Sequence, residues 1–213
     1  MEEAVVKILA LYGSPRRKGN TATLTKHAVQ GARDAGADVE EIRLRDLKMS
    51  PCLEIYGCKK SGRCAIKDDF HQLQDRLLES DGLILSSPIF FYTVSAHTKI
   101  MMDRCQSLWV KKYWVDNPSD AQSVPARTGK SALTRKGLFI SVGATKGKKL
   151  FDGTLLTVKY FFDVLDMELY GSVLVRGMDF EGDILAHSEY LTQAYEAGRK
   201  LAEALDSDPQ AGK

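Results

Sequence analysis

The chain has 213 residues, of which 44% are hydrophobic and 27% are charged, and its formal net charge is +2. This composition is typical of a globular domain, and the near-neutral charge argues against a nucleic-acid-binding surface. No apolar run approaches the ~18 residues of a membrane span, and the start, Met1-Glu2-Glu3, is acidic where a secretory signal would be basic. Four cysteines at uneven spacing predict reduced thiols rather than disulfides. We therefore expect a cytoplasmic protein.

Stretches of strand and helix character alternate along the chain. Residues 109–136 fit neither pattern. We predict a single domain over residues 1–206 and a disordered tail over residues 207–213. The predicted elements are strand Val5–Tyr12, helix Thr21–Ala35, strand Val39–Leu44, loop Met49–Lys67, a helix from Asp68 or Asp69 to Leu78, strand Gly82–Ser87, helix Ser95–Leu108, strand Leu138–Val142, helix Thr154–Leu165, strand Glu168–Val175 and helix His187–Leu205.

This order of elements indicates the α/β class, with a parallel sheet covered by helices on both faces. Five strands with a loop of phosphate-binding type after the first predict a flavodoxin-like three-layer sandwich of strand order 2-1-3-4-5. Ligands of such sheets bind beyond the carboxyl ends of the strands. Three loops leave those ends, at residues 13–21, 87–95 and 143–153.

The first of these loops, residues 13–21, carries the strongest functional signal. It joins a buried strand to a helix, whose unpaired N–H groups and positive dipole end attract anions. The spacing fits neither a Walker A loop nor a dinucleotide fingerprint, since only Gly13 and Gly19 are present. We predict a cradle for the single phosphate of a mononucleotide cofactor, with an ordinary strand–turn–helix junction as the alternative. The side-chain donors would be Ser14, Asn20, Thr21 and Thr23, with charge from Arg16, Arg17 and Lys18.

The second and third loops have different compositions. Residues 87–95 are rich in aromatic side chains, which are unusual at a strand end unless they line a pocket. Phe90, Phe91, Tyr92 and Val94 would shape an apolar slot for a flat heterocycle, or they would simply cover the core. In the third loop Gly143 allows close backbone approach to a ligand. Lys146, Lys148 and Lys149 would meet a second phosphorylated substrate such as NADPH, or form a solvated run of charge.

Three motifs together resemble the NADPH-dependent FMN reductases and iron–sulfur flavoproteins of the flavodoxin-like group. They are Gly13–Thr21, Gly62–Asp69 and Ser87–Arg104, and the resemblance covers about residues 5–175. It implies bound FMN. The phosphate would lie on Ser14, Arg16, Asn20, Thr21 and Thr23. The isoalloxazine ring would lie against Pro88, Ile89, Phe90, Phe91, Tyr92 and Val94, with Ser95 nearby and Gly143, Ala144 and Thr145 on its other side.

The resemblance also implies an activity. A reduced nicotinamide, NADPH or NADH, would reduce the flavin, which would then reduce free flavin, a quinone or a protein. The cofactor carries this chemistry, so no catalytic side chain is required. The alternatives are an electron carrier or redox sensor that works with a protein such as ferredoxin, and a scaffold that binds no flavin.

Related proteins form dimers or tetramers, so we expect a homodimer or homotetramer. Residues 109–127 are a candidate lid or dimer arm, because Trp109, Tyr113 and Trp114 lie in an otherwise polar stretch. The resemblance also indicates that Lys99, Asp103 and Arg104 are fold and interface residues.

The loop Met49–Lys67 departs from the pattern of similar iron–sulfur flavoproteins, which is Cys-x-x-Cys-x-x-Cys followed by a fourth cysteine. Cys52, Cys58 and Cys64 match, but Ile55 occupies the second position. Because a cubane cluster normally takes four thiolates, we expect the cluster to be absent and the thiols to be free or zinc-bound. A three-iron or incompletely ligated cluster, or a fourth ligand from Cys105, a partner chain or water, remain the alternatives.

Overall fold

The computed structural model describes residues 5–114 and 135–207, except for the side chains of residues 113 and 114. Its strands form one parallel sheet of order β2-β1-β3-β4-β5. This confirms the predicted topology. The elements are β1 (Lys7–Tyr12), α1 (Asn20–Asp34), β2 (Asp38–Arg43), α2 (Cys58–Ser61), α3 (Phe70–Glu79), β3 (Gly82–Pro88), α4 (Ala96–Arg104), α5 (Gln106–Trp114), β4 (Lys136–Gly143), α6 (Asp152–Val164), β5 (Glu168–Arg176) and α7 (Ser188–Asp206), with short 3₁₀ turns at Leu44–Asp46 and Asp183–Ala186.

The sheet separates two hydrophobic cores. Successive side chains of β1 point to opposite faces, so Ile8 and Ala10 enter one core while Leu9 and Leu11 enter the other. Helices α1 and α7 pack on the first face and contact each other. Helices α3 to α6 cover the second. The near-continuous apolar character of the central strands follows from this double coverage.

Arg135 closes the end of the sheet where β4 begins. Its guanidinium is buried and donates to the carbonyl oxygens of Ser80, Leu165 and Leu77. These residues lie at the carboxyl ends of α3 and α6, where helical carbonyls lack partners within the helix. One side chain from the stretch that sequence patterns left unassigned therefore joins two helices to the sheet.

The predicted helix Ser95–Leu108 is in fact two helices. It divides at Cys105, whose N–H is shared between the carbonyl oxygens of Met101 and Met102. Helix α5 then continues to Trp114 and packs against α2, the single turn inside the predicted loop Met49–Lys67. The prediction of one continuous helix was wrong because the apolar periodicity continues through Cys105, where α4 ends.

Several predictions concern residues outside the described ranges. Most of the proposed lid or arm over residues 109–127 lies there, as does the tail after residue 207. Trp109 lies on α5 and is partly buried. The arm, the single domain over residues 1–206 and the cytoplasmic location stay predictions. Among the helices within the described ranges, none is both long enough and apolar enough to cross a bilayer.

Candidate functional site

A cavity of about 150 Å³, here called the phosphate cavity, lies beyond the carboxyl ends of the strands. It is formed by loops that follow β1, β3, β4 and β5. Eight predicted site residues line it: Ser14, Arg16, Asn20, Thr21, Pro88, Ile89, Phe90 and Ala144. The remaining lining residues are Pro15, Gly19, Val142, Met178 and Asp179. Thr23, Phe91, Tyr92, Val94, Ser95, Gly143 and Thr145 do not line it.

The start of α1 forms one wall of the phosphate cavity. Gly19 is the N-cap residue, and it provides no side-chain acceptor for the first N–H groups of the helix. The first turn carries no acidic side chain. Ser14 lies beside it, buried, and its Oγ accepts a 3.2 Å hydrogen bond from the Arg16 N–H. The wall therefore presents N–H groups and the positive end of the helix dipole, which suits an anion.

Asn20 holds the loop after β5 in place. Its Nδ2 donates to the Phe180 carbonyl oxygen at 2.8 Å. Its Oδ1 accepts from the N–H groups of Gly182 and Ile184, at 3.1 and 3.3 Å. The side chain is buried and bonded on both sides. Asn20 thus orders a wall of the cavity, and its backbone N–H is the group that remains for an anion.

Met178 and Asp179 are site residues that the sequence analysis missed. Both follow β5, which is parallel to the other strands, so that its carboxyl end lies at the same edge of the sheet as the three predicted loops. Arg16 contacts this loop, since its Nη1 donates to the Asp179 carbonyl oxygen at 2.9 Å. The parallel direction of β5 was the signal that would have found it.

The other predicted side chains of the first loop lie outside the cavity. The hydroxyl of Thr23 donates to the Gly19 carbonyl oxygen at 3.4 Å, within the first turn of α1. Arg17 forms a 2.7 Å ion pair with Asp46, and Lys18 is exposed. The positive charge nearest the cavity is therefore that of Arg16.

Phe90 to Thr93 form a tight two-residue turn beside the cavity, here called the aromatic turn. Phe90 and Thr93 exchange two backbone hydrogen bonds of 2.9 and 3.0 Å. The central residues, Phe91 and Tyr92, have φ values of 49° and 60°. Turns of this kind normally use Asn-Gly, because positive φ strains other residues by about 1–3 kcal/mol each. Phe91 is also fully exposed, so packing within the chain does not explain the choice.

Val94 and Ser95 belong to the scaffold behind the cavity. Val94 is buried in the second core. Ser95 is the N-cap of α4, and its Oγ accepts from the Thr98 N–H at 3.4 Å. The same hydroxyl donates to the Gly13 carbonyl oxygen at 2.5 Å. Ser95 therefore fixes the second loop to the first.

The third loop begins at Gly143, where a Cβ would lie 2.6 Å from Leu150 Cδ2. The glycine thus makes room for a core side chain of its own loop. Arg176 donates to the carbonyl oxygens of Gly147 and Lys148, both at 3.2 Å, and so holds the loop against β5. The loop's exposed polar side chains are those of Thr145, Lys146, Lys148 and Lys149.

A second cavity, the cysteine cavity, lies within the loop that follows β2. Its volume is about 410 Å³. Cys52, Cys58 and Cys64 line it, together with Pro51, Leu53, Glu54, Ile55, Tyr56, Gly57, Lys59, Ala65, Ile66, Asp103, Gln106 and Val110. All three lining cysteines are free thiols. Cys105, the C-cap residue of α4, is buried and is not part of the lining.

Arg104 of α4 fixes the base of the loop Met49–Lys67, here called the cysteine loop. Its side chain is 0% exposed and forms two hydrogen bonds with Asp68, of 2.6 and 2.9 Å. It also donates to the carbonyl oxygens of Ser50 and Ile66, and its Nε donates to Cys64 Sγ at 3.2 Å. The interpretation of Arg104 as a fold residue agrees with this position. Lys99 and Asp103, on the same helix, form an exposed ion pair.

Asp68 and Arg104 dominate the electrostatics at the base of the cysteine loop. Burial by itself raises the pKa of Asp68. Hydrogen bonds from Arg104 and from the N–H groups of Ser50 and Phe70 outweigh burial and hold that pKa below its usual value. On the other side of the loop, burial and the neighbouring Cys64 raise the pKa of Cys58.

The thiols do not converge on one point. Within residues 5–114 and 135–207, no group of three or more Cys, His, Asp or Glu side chains is arranged to hold a metal ion. The described residues therefore do not fit a metal centre, and Cys64 Sγ instead accepts a hydrogen bond from Arg104 Nε.

Comparison with known proteins places the chain in a family. Residues 6–153 match the family model for NADPH-dependent FMN reductase. An iron–sulfur flavoprotein of Methanocaldococcus jannaschii is 31% identical over 78% of this chain and 76% of its own. An Archaeoglobus fulgidus iron–sulfur flavoprotein is 34% identical, but the match spans about half of each chain (50% and 54%). A Bacillus subtilis protein named as an NAD(P)H-dependent FMN-containing oxidoreductase is 26% identical over 89% and 94%.

Solved structures agree on the fold. A flavone reductase superposes on 98% of this chain with a TM-score of 0.67 and 22% identity, and the match covers 65% of that longer chain. An identity this low supports the fold rather than the substrate. The family match, which spans more than two thirds of the chain, carries the functional assignment. The chain is a flavin-dependent oxidoreductase that belongs to the NADPH-dependent FMN reductase family.

Proposed function

We propose that the chain binds FMN with its phosphate in the phosphate cavity and oxidises NADPH or NADH. The observation that carries this proposal is the convergence of four strand-end loops on the start of α1. Uncapped N–H groups, Ser14 and Arg16 meet there in a chain of the FMN reductase family. Ser14, Arg16 and the first N–H groups of α1 would hold the phosphate.

The size of the cavity limits how FMN is held. Pockets that enclose whole cofactors measure about 300–1,000 Å³, whereas the phosphate cavity measures about 150 Å³. It therefore suits the phosphate end of the molecule. The isoalloxazine ring would rest on the rim, against residues 88–92. The strained aromatic turn would hold Phe91 and Tyr92 at this rim, where neither is buried.

When bound, FMN supplies hydride acceptance from the nicotinamide and electron transfer to the next acceptor. The chain's own part is to orient the ring and to exclude water from one side. Backbone groups of Pro88, Ile89 and Phe90 lie where they would meet the ring edge. The exposed Lys146, Lys148 and Lys149 would approach the phosphates of the nicotinamide substrate. Free flavin, a quinone or a protein would take the electrons.

A second candidate function is electron transfer between proteins, for example with ferredoxin. The cysteine cavity and the iron–sulfur flavoprotein relatives favour it. Steady NADPH oxidation with added FMN or quinone would support the reductase. Flavin reduction by ferredoxin, without NADPH turnover, would support the carrier.

We also propose that the chain acts as a homodimer or homotetramer. The fully exposed Phe91 and the 66% exposed Tyr160 are large apolar groups that a second copy would cover. Sedimentation of the purified protein tests this directly, and a monomer at micromolar concentration would contradict it.

The test of the FMN site compares two neighbouring arginines. Replacing Ser14 and Arg16 together by alanine removes two phosphate partners, and each hydrogen bond to a charged group is worth about 1.5–3 kcal/mol. We expect the Kd for FMN, measured by fluorescence quenching, to rise about 100-fold or more. Arg17→Ala is the matched control, because Arg17 pairs with Asp46 outside the cavity. Equal FMN affinity in the double variant and the control would refute the site.

A further inference from the structure

The aromatic turn carries backbone strain that its own hydrogen bonds do not account for. Phe91 and Tyr92 both have positive φ, at 49° and 60°, and such conformations persist only where the surrounding structure fixes them. Two backbone hydrogen bonds between Phe90 and Thr93 close the turn, but they leave the carbonyl oxygen of Tyr92 without a partner inside it. The contacts of that oxygen therefore show how the turn is held from outside.

The first turn of α6 receives the Tyr92 carbonyl group, and its residues Gly153 and Thr154 are here called the turn seat. The hydroxyl of Thr154 donates to the Tyr92 carbonyl oxygen at 3.0 Å. Thr154 is 0% exposed, and a buried hydroxyl is normally paired. A threonine inside a helix often bonds a carbonyl oxygen four residues earlier, as Thr157 does with Gly153 at 3.0 Å. Thr154 instead bonds across to the loop after β3.

Gly153 leaves the space that the Tyr92 carbonyl group occupies. A Cβ at this position would lie 2.9 Å from that oxygen, which is closer than side-chain carbons normally approach. Glycine within a helix is less favourable than alanine, so the helix itself gives no reason for this residue. Gly153 and Thr154 thus act on the same atom, one by leaving room for it and the other by donating to it.

The turn seat also determines where the Tyr92 ring lies. The ring hydroxyl lies 3.8 Å from the position that a Cβ of Gly147 would take, so the side chain extends from the aromatic turn to the third loop. Phe90, at the other end of the turn, lines the phosphate cavity. The aromatic turn therefore spans the distance from the proposed FMN site to the loop whose lysines would meet the nicotinamide substrate.

We propose, on the basis of the FMN site proposed above, that Thr154 is a positioning residue for the flavin ring. Its hydroxyl, with the space left by Gly153, fixes the aromatic turn so that Phe91 and Tyr92 hold the ring in the orientation that accepts hydride. Neither residue of the turn seat lines the phosphate cavity. The turn seat therefore acts mainly on the orientation of the ring, and the phosphate end supplies most of the affinity for FMN.

The first test uses the full chain without flavin. Amide hydrogen exchange, followed by nuclear magnetic resonance, reports how often the hydrogen bond from the Thr93 N–H opens. Thr154→Val removes the hydroxyl at nearly constant shape, and we expect exchange at Thr93 to become about tenfold faster. Gly153→Ala should have a similar effect, because the added Cβ displaces the Tyr92 carbonyl oxygen.

The second test uses the same chain loaded with FMN. In Thr154→Val and Gly153→Ala we expect kcat/KM for NADPH to fall about tenfold and the visible circular dichroism of the flavin to change. The Kd for FMN should stay within about threefold of the wild-type value. Thr154→Ser keeps the hydroxyl and should recover both exchange and turnover. Thr157→Val is the matched control, because that hydroxyl bonds only within α6, and it should behave as the wild type throughout.

The outcomes separate a seat for the turn from a general loss of stability. Alanine favours a helix over glycine, so faster exchange in a Gly153→Ala chain that is as stable as the wild type supports the proposal. Wild-type exchange or wild-type turnover in Thr154→Val overturns it, as does a loss that Thr154→Ser fails to recover or that Thr157→Val shares. A wild-type chain that binds no FMN refutes the proposed function, while the exchange rates still decide whether the turn seat holds the turn.

Discussion

The phosphate cavity and the cysteine cavity both follow strand ends, but the chain builds them in different ways. Four loops form the phosphate cavity, and side chains such as Asn20 bond those loops to one another. A single loop forms most of the cysteine cavity. That loop is fixed at its base by Arg104 and Asp68, while Leu53, Ile55 and Tyr56 are more than half exposed.

This difference indicates two modes of binding. A cavity whose walls are already bonded together pays little to order itself when its ligand arrives. The cysteine loop is also held at α2, which packs against α5, but its segment with Leu53, Ile55 and Tyr56 has few buried contacts and opens more easily. The phosphate cavity therefore resembles a preformed site, whereas the exposed segment of the cysteine loop is freer to rearrange.

The largest expected effect concerns the base of the cysteine loop. Arg104→Met removes a buried guanidinium and leaves the Asp68 carboxylate and two carbonyl groups without their donor. We expect the free energy of unfolding to fall by about 3–5 kcal/mol, as for other broken buried ion pairs. Urea denaturation measures it.

Lys99→Ala is the control for that variant, because the pair of Lys99 with Asp103 is on the same helix but exposed. Its expected cost is about 0.5 kcal/mol or less. Similar losses in both variants would mean that the loop does not depend on its buried arginine, and the contrast between the two cavities would disappear.

The next effect tests whether the phosphate cavity is preformed. Asn20→Ala breaks three hydrogen bonds to the loop after β5, which should cost about 1–3 kcal/mol. It should also raise the Kd for FMN, because that loop carries Met178 and Asp179 into the lining. Thr23→Ala serves as the comparison, since its hydroxyl bonds only within the helix and should matter little. An unchanged Kd in Asn20→Ala would show that the loop takes no part in binding.

A smaller effect, which raises rather than lowers the free energy of unfolding, is expected at the aromatic turn. Replacing Phe91 and Tyr92 by Asn and Gly supplies the residues that two positive φ values favour. Because Phe91 is fully exposed within its own chain, little packing inside the chain is lost, and the free energy of unfolding of the monomer should rise by about 1 kcal/mol. NADPH oxidation should nevertheless slow, since the aromatic rim of the ring site is gone. A variant that is both more stable and fully active would mean that the turn has no role in the reaction.

Sequence patterns predicted the fold well because parallel α/β topology is encoded locally. The alternation of buried runs with amphipathic helices indicated a parallel sheet, and the phosphate-binding loop after the first of five strands indicated its order. The same topology brought Ser14, Thr21 and Ile89 to one cavity. For these residues, position relative to a strand end was sufficient to predict that they line one cavity.

Long-range hydrogen bonds could not be predicted in this way. Asn20 has the residue type of a phosphate donor, yet its amide is bonded to residues more than 150 positions later. Arg104 lies 40 positions after Cys64 in the chain, and no local pattern around either residue indicates that their side chains meet. Residue type suggests which groups are able to bind, while the fold decides which of them remain available.

The smallest effect is the acid sensitivity of the cysteine loop. Hydrogen bonds from Arg104 and two N–H groups outweigh the cost of burial, so Asp68 has a lower pKa in the folded chain than in the unfolded one. The stabilisation that ionised Asp68 provides is therefore complete above the pKa of an unfolded aspartate, which is about 4. It is lost as the pH falls through the lower pKa of Asp68 in the folded chain. Urea denaturation at a series of pH values should show that the free energy of unfolding falls less steeply with acidification in Asp68→Asn than in the wild type. An equal dependence of stability on pH in both proteins would mean that the charge of Asp68 does not support the loop, and the base of the loop would then rest on the carbonyl contacts of Arg104 alone.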